Sequence, residues 1–197
     1  MNKKVIVLIV AVIILAILGV VAYMVTSNNH QNAMSNTNET TNEEPHTEGT
    51  GRTLIVYFSH TGNTENVANF IHEEVGGDIV KLEPVNAYTE DYDTLLDVAQ
   101  EEQQSNARPE LTTTIDNIDE YDTIFLGYPI WWGDCPMAIY TFLDKYDLSG
   151  KTIAPFCTSG GSGLSGTPRS IQSEEPNATV TEGLSVSDSR SSNSQRA

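Results

Sequence analysis

From about residue 53 onward, short apolar runs alternate with longer amphipathic stretches along the chain. Short apolar runs rich in β-branched residues are typical of strands buried on both faces, whereas apolar positions three and four residues apart are typical of helices. The pattern predicts strands at Leu54–Phe58, Ile79–Leu82, Thr123–Gly127, Thr152–Cys157 and Ala178–Val186, and helices at Thr64–Val75, Asp91–Gln104 and Pro136–Tyr146. This alternation predicts an α/β fold with a mostly parallel sheet between helices.

The beginning of the chain has a different pattern, with an uncharged apolar run at Val5–Val25 that follows Lys3 and Lys4. A helix of this length spans roughly 30 Å, which is the thickness of the hydrocarbon core of a bilayer. A cleavable signal peptide is the alternative, but its apolar region is usually shorter, about 7–15 residues. We therefore expect a single-pass anchor in the cell membrane, and the lysines place the rest of the chain outside the cytoplasm.

These patterns divide the chain into four parts. Residues 1–26 form the expected membrane anchor, and residues 27–52 are rich in Asn, Thr, Ser and Glu with little apolar surface to bury. Such a composition predicts a disordered tether. Residues 53–187 form the expected globular domain, and the polar residues 188–197 are expected to be a disordered tail.

The charge and cysteine content exclude several classes of function. The formal net charge of −17 argues against a nucleic-acid partner, because such proteins carry a basic surface. Cys135 and Cys157 are too few for a disulfide framework, and no Cys/His cluster has the spacing of a metal site. We expect two free thiols and no metal.

Candidate chemistry lies in three loops that follow the first, third and fourth predicted strands. Ligands of open parallel sheets bind beyond the carboxyl ends of the strands, so these loops are expected to share one edge. They are the hydroxyl loop at residues 59–64, "SHTGNT", the aromatic loop at residues 128–136, "YPIWWGDCP", and the glycine loop at residues 157–166, "CTSGGSGLSG". Together they suit a flat aromatic ring that carries a phosphate.

The hydroxyl loop leads directly into a predicted helix, whose first N–H groups and positive dipole end favour an anion. Its hydroxyl groups are additional donors for a phosphate. The loop lacks the lysine of a nucleotide-binding P-loop and the G-x-G-x-x-G pattern of dinucleotide sites. An ordinary capped turn between strand and helix is the alternative interpretation.

The other two loops suit the ring of such a ligand. Either Trp131 or Trp132 is expected to stack on an aromatic ring, with Trp131 favoured because it is closer to the strand end, and the other to close the edge of the core. The glycine loop allows its backbone to approach a ligand edge closely, because glycine has no side chain. A flexible linker is the alternative for the glycine loop.

Four motifs, "YFSHTGNT", "YPIWWG", "FLDKYDLSGKTIAPFCTSGGSG" and "PNATVTEGLSV", resemble the flavodoxin-like family from Thr53 to about Val186. The resemblance implies a doubly wound, five-stranded parallel sheet in the order 2-1-3-4-5 and a non-covalently bound FMN. After Val186 there is no apolar periodicity, although a fold of this kind normally packs a final helix there. The sequence leaves open whether that helix is lacking.

The resemblance also implies which residues bind the cofactor, and it names no catalytic residue. The residues expected at the phosphate are Ser59, Thr61, Gly62, Asn63 and Thr64. The residues expected beside the ring are Pro129, Ile130, Trp131, Trp132 and Gly133, and those at its edge are Thr158, Ser159, Gly160, Gly161 and Gly163. His60 occupies a variable position of the phosphate loop. It is included among the candidate cofactor-binding residues because it could help to balance the phosphate charge, but we expect its side chain to face solvent.

The function implied is an FMN-binding electron carrier tethered to the lipid bilayer by its N-terminal helix. Its partner would be a redox protein or a small electron acceptor. One alternative is an FMN-dependent reductase of quinones that uses a nicotinamide donor, and another is a binding module that has lost FMN. The sequence favours the carrier but leaves open whether the protein is an enzyme.

Overall fold

The computed structural model describes residues 51–187. The predicted anchor at residues 1–26, most of the tether and the tail at residues 188–197 lie outside the described residues, so those predictions stay predictions. Across residues 51–187, none of the helices is both long enough and apolar enough to cross a membrane.

The described part of the chain folds into six strands and four α-helices that alternate along most of its length. The strands are β1 (Arg52–Tyr57), β2 (Asp78–Lys81), β3 (Tyr121–Pro129), β4 (Thr152–Ser159), β5 (Thr179–Val180) and β6 (Leu184–Ser187). The helices are α1 (Asn63–Val75), α2 (Tyr92–Gln104), α3 (Met137–Lys145) and α4 (Thr167–Glu174), and a 3₁₀ turn at Ile118–Glu120 precedes β3.

The strands form one sheet in the order β2-β1-β3-β4-β5, and β6 also pairs with β4. Every ladder in the sheet is parallel. The predicted strand order is therefore confirmed. In the central strands, residues such as Leu54, Ile124 and Ile153 are fully buried. Both faces of these strands are covered, which explains why their sequences are continuous apolar runs.

The helix ends are set by local chemistry that the sequence already contains. Asp91 caps α2, because its carboxylate accepts a hydrogen bond from the backbone N–H of Thr94 at 2.9 Å. Pro136 lies at the N-cap of α3 and not inside the helix, so α3 begins one residue later than predicted. Gly76 ends α1, where its N–H donates to the carbonyl oxygen of His72.

The outer edge of the sheet differs from the prediction, because the single strand expected at Ala178–Val186 is divided into β5 and β6. Both segments pair with β4, but their registers differ. Ile153 pairs with Val180, whereas Phe156 pairs with Leu184, so the outer chain has one extra residue between the two pairs. The sheet therefore contains six strands and not the predicted five.

Pro155 explains the break between β5 and β6. The N–H of Thr181 donates to the carbonyl oxygen of Ile153 at 2.9 Å, so the backbone of Ile153 bonds toward this edge. The backbone of Pro155, two residues later, faces the same edge, but proline has no N–H to donate there. Gly183 passes so close that a Cβ at this position would lie 2.9 Å from the oxygen of Pro155.

Candidate cofactor site

The three loops meet at the carboxyl edge of the sheet, and direct hydrogen bonds join the glycine loop to the other two. The hydroxyl oxygens of Thr64 and Thr158 lie 2.9 Å apart and connect it to the hydroxyl loop. The N–H of Ile130 donates to the carbonyl oxygen of Thr158 at 2.9 Å and connects it to the aromatic loop. Thr158 is thus the residue that connects all three.

The predicted site residues differ widely in their exposure. The buried ones are Ser59 and Thr64. The half-buried ones are His60, Gly62, Pro129, Ile130, Trp131, Thr158, Ser159 and Gly163. The exposed ones are Thr61, Asn63, Trp132, Gly133, Gly160 and Gly161. The loops therefore combine a buried floor with an open rim.

The floor of the hydroxyl loop contains a buried hydroxyl group that has no hydrogen-bond partner in the part of the chain that the structure describes. Ser59 is 6% exposed, and its Oγ has no donor or acceptor among the described residues. Nearly all buried polar groups in proteins have a partner, because an unmade hydrogen bond there costs about 1–3 kcal/mol. Ser59 therefore fits a ligand that supplies the missing bond.

The start of α1 provides further donors beside Ser59. Gly62 is the N-cap residue with φ of 84°, and no side chain caps the helix in the described part of the chain. The left-handed backbone requires glycine here, and the space where its Cβ would lie is open. The first N–H groups of α1 are therefore available to an anion, which the positive end of the helix dipole also favours.

His60 differs from its prediction, because its side chain is only 12% exposed. Its ring lies edge-to-face with the indole of Trp131, with the ring centroids 6.2 Å apart. Its Nε2 lies 4.0 Å from the carboxylate of Glu90. The expectation of a solvent-facing side chain is wrong, since packing against the aromatic loop covers the imidazole.

Trp131 lies at the centre of an aromatic cluster formed by residues of three loops. Its ring centroid is 5.4 Å from that of Phe58 and 5.1 Å from that of Tyr88, and both ring pairs are nearly perpendicular. Phe58 and Tyr88 also contact each other with centroids 5.6 Å apart. This edge-to-face packing holds the Trp131 ring in place against the core.

Trp132 has a different environment at the tip of the aromatic loop. Trp131 and Asp134 exchange two backbone hydrogen bonds of 2.9 Å, which close a tight turn around Trp132 and Gly133. Both central residues have positive φ, 49° at Trp132 and 80° at Gly133. The indole N–H of Trp132 donates to the carbonyl oxygen of Leu96 at 2.9 Å and so connects the turn to α2.

Tyr88 also belongs to the site, although it lies outside the three loops with recognisable sequence patterns. It lies in the loop after β2, and its hydroxyl donates to the carboxylate of Glu102 on α2 at 2.7 Å. Burial, and then the hydrogen bond to Glu102 and the negative charge of that carboxylate, raise the pKa of Tyr88, so the phenol stays protonated and remains a donor. The loop after the second strand also begins at the carboxyl edge, which is a signal for the loop but not for the position of this side chain.

The glycine loop has few internal contacts. The N–H of Gly161 lies 3.4 Å from the hydroxyl oxygen of Ser159, and the thiol of Cys157 lies 3.4 Å from the carbonyl oxygen of Gly163. The positions where Cβ atoms would lie on Gly160, Gly161 and Gly163 are all open. The loop therefore leaves space and free backbone groups at the rim of the site.

The two cysteines lie beneath the loops as buried free thiols. Burial and then the negative charge of Asp134 raise the pKa of Cys135, and burial raises the pKa of Cys157. Thiolates are the reactive form of cysteine, so both groups are poor nucleophiles in the folded protein. Within residues 51–187, no group of His, Cys, Asp and Glu has the arrangement of a metal site.

These features fit the phosphate and ring of FMN. The hydroxyl loop offers the hydroxyl of Ser59 and the first N–H groups of α1, for which the described residues supply no side-chain partner. The other two loops offer indole rings and an open glycine backbone. None of the three loops contains Lys or Arg. Neutral donors and the helix dipole would therefore hold the phosphate.

The chain is similar to several flavodoxins over about half of its length. It is 30% identical over 108 residues to a flavodoxin of Nostoc sp., across 53% of this chain and 49% of that protein. It is 26% identical over 112 residues to flavodoxin 1 of Escherichia coli, across 53% of this chain and 47% of that protein. The chain thus spans about half the length of these curated relatives.

Solved structures show the same similarity. A candidate flavoprotein of Bacteroides uniformis is 35% identical, with a TM-score of 0.64 over 74% of this chain and 96% of that one. A Lactobacillus acidophilus flavoprotein in complex with FMN shares the fold, with 24% identity and a TM-score of 0.62 over 74% of this chain and 98% of that one. The flavodoxin family model matches residues 52–196. The chain therefore belongs to the flavodoxin family.

Proposed function

We propose that this protein is an FMN-binding electron carrier held at a membrane by its N-terminal segment. FMN is the cofactor that family membership supports, and it is the one that the sequence predicted. The observation that carries the assignment is the buried hydroxyl of Ser59, which lies beside the uncapped start of α1 and lacks a partner among residues 51–187. A phosphate at this position would satisfy both.

The residues of the chain would divide the binding of FMN between the three loops. Ser59, Thr61 and Thr64 would donate to the phosphate together with the first N–H groups of α1, and Thr158 would hold the hydroxyl loop and the glycine loop in register. Trp131, held by Phe58 and Tyr88, would pack against the ring. The backbone of Gly160 and Gly161 would contact the ring edge.

When bound, FMN supplies the one- and two-electron chemistry of the protein. The chain would contribute its electrostatic field, which is strongly acidic with a net charge of −17. Negative charges disfavour the addition of an electron to a nearby group, so we expect a low reduction potential. A low potential suits a carrier that delivers electrons to another protein or to a small acceptor.

The apolar run at Val5–Val25 supports the proposal of a single-pass membrane anchor, and Lys3 and Lys4 support a cytoplasmic N-terminus. The FMN domain would then lie on the outer face of the cell membrane. Protease added to intact cells should release it by cleavage within residues 27–52. Protection in intact cells, together with cleavage after permeabilisation, would contradict this topology.

Turnover measurements distinguish the carrier from a reductase. The full chain, purified in a neutral detergent and loaded with FMN, should accept electrons from dithionite and pass them to a one-electron acceptor. It should show no sustained turnover when a reduced nicotinamide is the only electron donor. Rapid steady-state oxidation of the nicotinamide would contradict the carrier and support the reductase.

A further inference from the structure

A fourth loop, residues 82–91 between β2 and α2, contributes one ring to the aromatic cluster of the candidate site. The ring of Tyr88 in this loop lies nearly perpendicular to those of Phe58 and Trp131, with centroid distances of 5.6 and 5.1 Å. Phe58 directly follows β1, and Trp131 lies just beyond the end of β3. The orientation of the Trp131 ring therefore depends on where Tyr88 is held.

One hydrogen bond holds the phenol of Tyr88 in this irregular loop. The hydroxyl donates to the carboxylate of Glu102 at 2.7 Å, within the range of about 2.5–2.7 Å that is typical of bonds from a hydroxyl to a carboxylate. Such charge-assisted bonds are about twice as strong as those between neutral groups. Because Glu102 belongs to α2, a helix and not the loop itself fixes the position of the phenol.

The environment of Glu102 is unfavourable for a carboxylate. The residue is half-buried, and none of the described Lys, Arg or His residues forms an ion pair with it. Burial raises the pKa of Glu102, because it disfavours the charged form. Glu102 also lies in the last turn of α2, where the helix dipole disfavours a negative charge. The helix gains nothing from this carboxylate, so its role lies in the bond to Tyr88.

The same helix holds the second tryptophan of the aromatic loop. The indole N–H of Trp132 donates to the carbonyl oxygen of Leu96 in α2 at 2.9 Å. The helix thus contacts Trp132 directly and Trp131 through Tyr88. A regular helix is more rigid than a loop, so α2 provides a fixed support for both indoles.

We propose that Tyr88 and Glu102 are positioning residues for the ring of FMN: the carboxylate of Glu102 fixes the phenol of Tyr88, and Tyr88 fixes the plane of Trp131 beside the flavin. Contacts between aromatic rings depend on their geometry, so a rotation of the Trp131 ring would weaken its contact with the flavin. The inference rests on the proposed function, because it requires a bound flavin.

The test compares four variants of the full chain in neutral detergent. Tyr88→Phe keeps the ring and removes the donor, Glu102→Ala removes the acceptor, and Glu102→Gln keeps an acceptor oxygen. Tyr92→Phe is the matched control, since its phenol is 69% exposed and has no hydrogen bond to another residue of the described range. Each chain is titrated with FMN and with riboflavin, and the visible circular dichroism of the bound flavin reports the geometry around its ring.

Tyr88→Phe and Glu102→Ala should each weaken the binding of both ligands equally, by about three- to tenfold, because FMN and riboflavin share the ring. Both variants should also change the visible circular dichroism of the bound flavin. Glu102→Gln and Tyr92→Phe should stay within about twofold of the parent chain, since the first keeps the hydrogen bond and the second loses none. A loss for FMN alone, or a loss in Glu102→Gln equal to that in Glu102→Ala, would overturn the proposal.

A double-mutant cycle tests whether Tyr88 acts through Trp131. In a Trp131→Ala chain, Tyr88→Phe should not weaken flavin binding further, and additive losses would overturn the proposal. Lower stability in urea with unchanged affinity and dichroism would show that the pair is merely structural and would also overturn it. A parent chain that stays colourless in excess FMN would contradict the proposed function, and this inference with it. A yellow parent whose Tyr88 and Glu102 variants bind like it would contradict only this inference.

Discussion

The hydroxyl loop and the glycine loop flank the same candidate site but are built in opposite ways. In the hydroxyl loop, Ser59 and Thr64 are buried, and the loop continues directly into α1. In the glycine loop, Gly160 and Gly161 are exposed. Within the described residues, the central N–H groups of this loop make one hydrogen bond, from Gly161 to the hydroxyl oxygen of Ser159 at 3.4 Å. One loop is preorganised by the fold, and the other leaves its backbone groups open.

This difference indicates how the two loops would contribute to binding. Preorganised groups bind a ligand without a further loss of conformational entropy, so the hydroxyl loop should provide most of the selectivity for the phosphate. The glycine loop should contribute through close approach to the ring, for which it needs the absence of side chains.

The largest expected effect is on the hydroxyl loop. Ser59→Ala and Thr64→Ala should each weaken FMN binding by about ten- to a hundredfold, because a hydrogen bond to a charged group contributes about 1.5–3 kcal/mol. Riboflavin, which has no phosphate, should bind almost unchanged. Calorimetric titration of both ligands measures the difference, and Thr64→Ser is the control that keeps the hydroxyl. Equal losses for the two ligands would mean that the loop is only structural.

A matched pair of glycine substitutions tests the comparison directly. Gly62→Ala places a side chain at φ of 84° and should lower the free energy of unfolding by about 1–2 kcal/mol. Gly160→Ala should change that free energy by less than about 0.5 kcal/mol. It should instead weaken FMN binding, because its Cβ would occupy the open space at the rim. Urea unfolding and FMN titration measure both quantities, and the reverse pattern would invert the roles assigned to the loops.

The two tryptophans of the aromatic loop should differ less. Trp131→Ala should weaken FMN binding by the equivalent of about 0.5–1.5 kcal/mol beyond the lost burial, and it should restore flavin fluorescence. Trp132→Ala should have a smaller effect, since its indole is bonded to Leu96 and half-exposed. If neither variant alters affinity, the ring lies elsewhere.

The smallest expected effect lies away from both loops, at Glu175. Burial and then repulsion from Asp147 raise the pKa of this carboxyl from 4.5 to about 7. The folded state thus binds a proton more tightly than the unfolded state, so stability should fall as the pH rises from about 4.5 to 7. Glu175→Gln should flatten this pH dependence in urea unfolding and leave FMN binding unchanged. A dependence as steep as in the parent would assign it to other groups.

The sequence predicted most of the fold because its signals are local. Buried parallel strands such as Thr152–Cys157 need continuous apolar runs, and helix ends need caps such as Asp91, so both can be read directly. The division of the outer strand could not be predicted, because it depends on which edge of β4 the backbone of Pro155 faces, and the bond from Thr181 to Ile153 identifies that edge. That direction is set by the pairing of strands and not by neighbouring residues.

The site was predictable in its loops but less so in its side chains. The hydroxyl and glycine patterns identify their loops, since backbone conformation and donors follow from residue type. The burial of His60 depends on contacts with Trp131 and Glu90 from other loops. The position of Tyr88 depends likewise on packing between loops, so neither was evident from spacing.

The central claim is that the three loops form one FMN site, and FMN titration of the full chain in detergent tests it most directly. The account predicts a yellow protein that binds FMN one-to-one and quenches its fluorescence. Ser59→Ala should bind more weakly under the same conditions. A folded chain that stays colourless in excess FMN, with no heat of binding, would contradict the account.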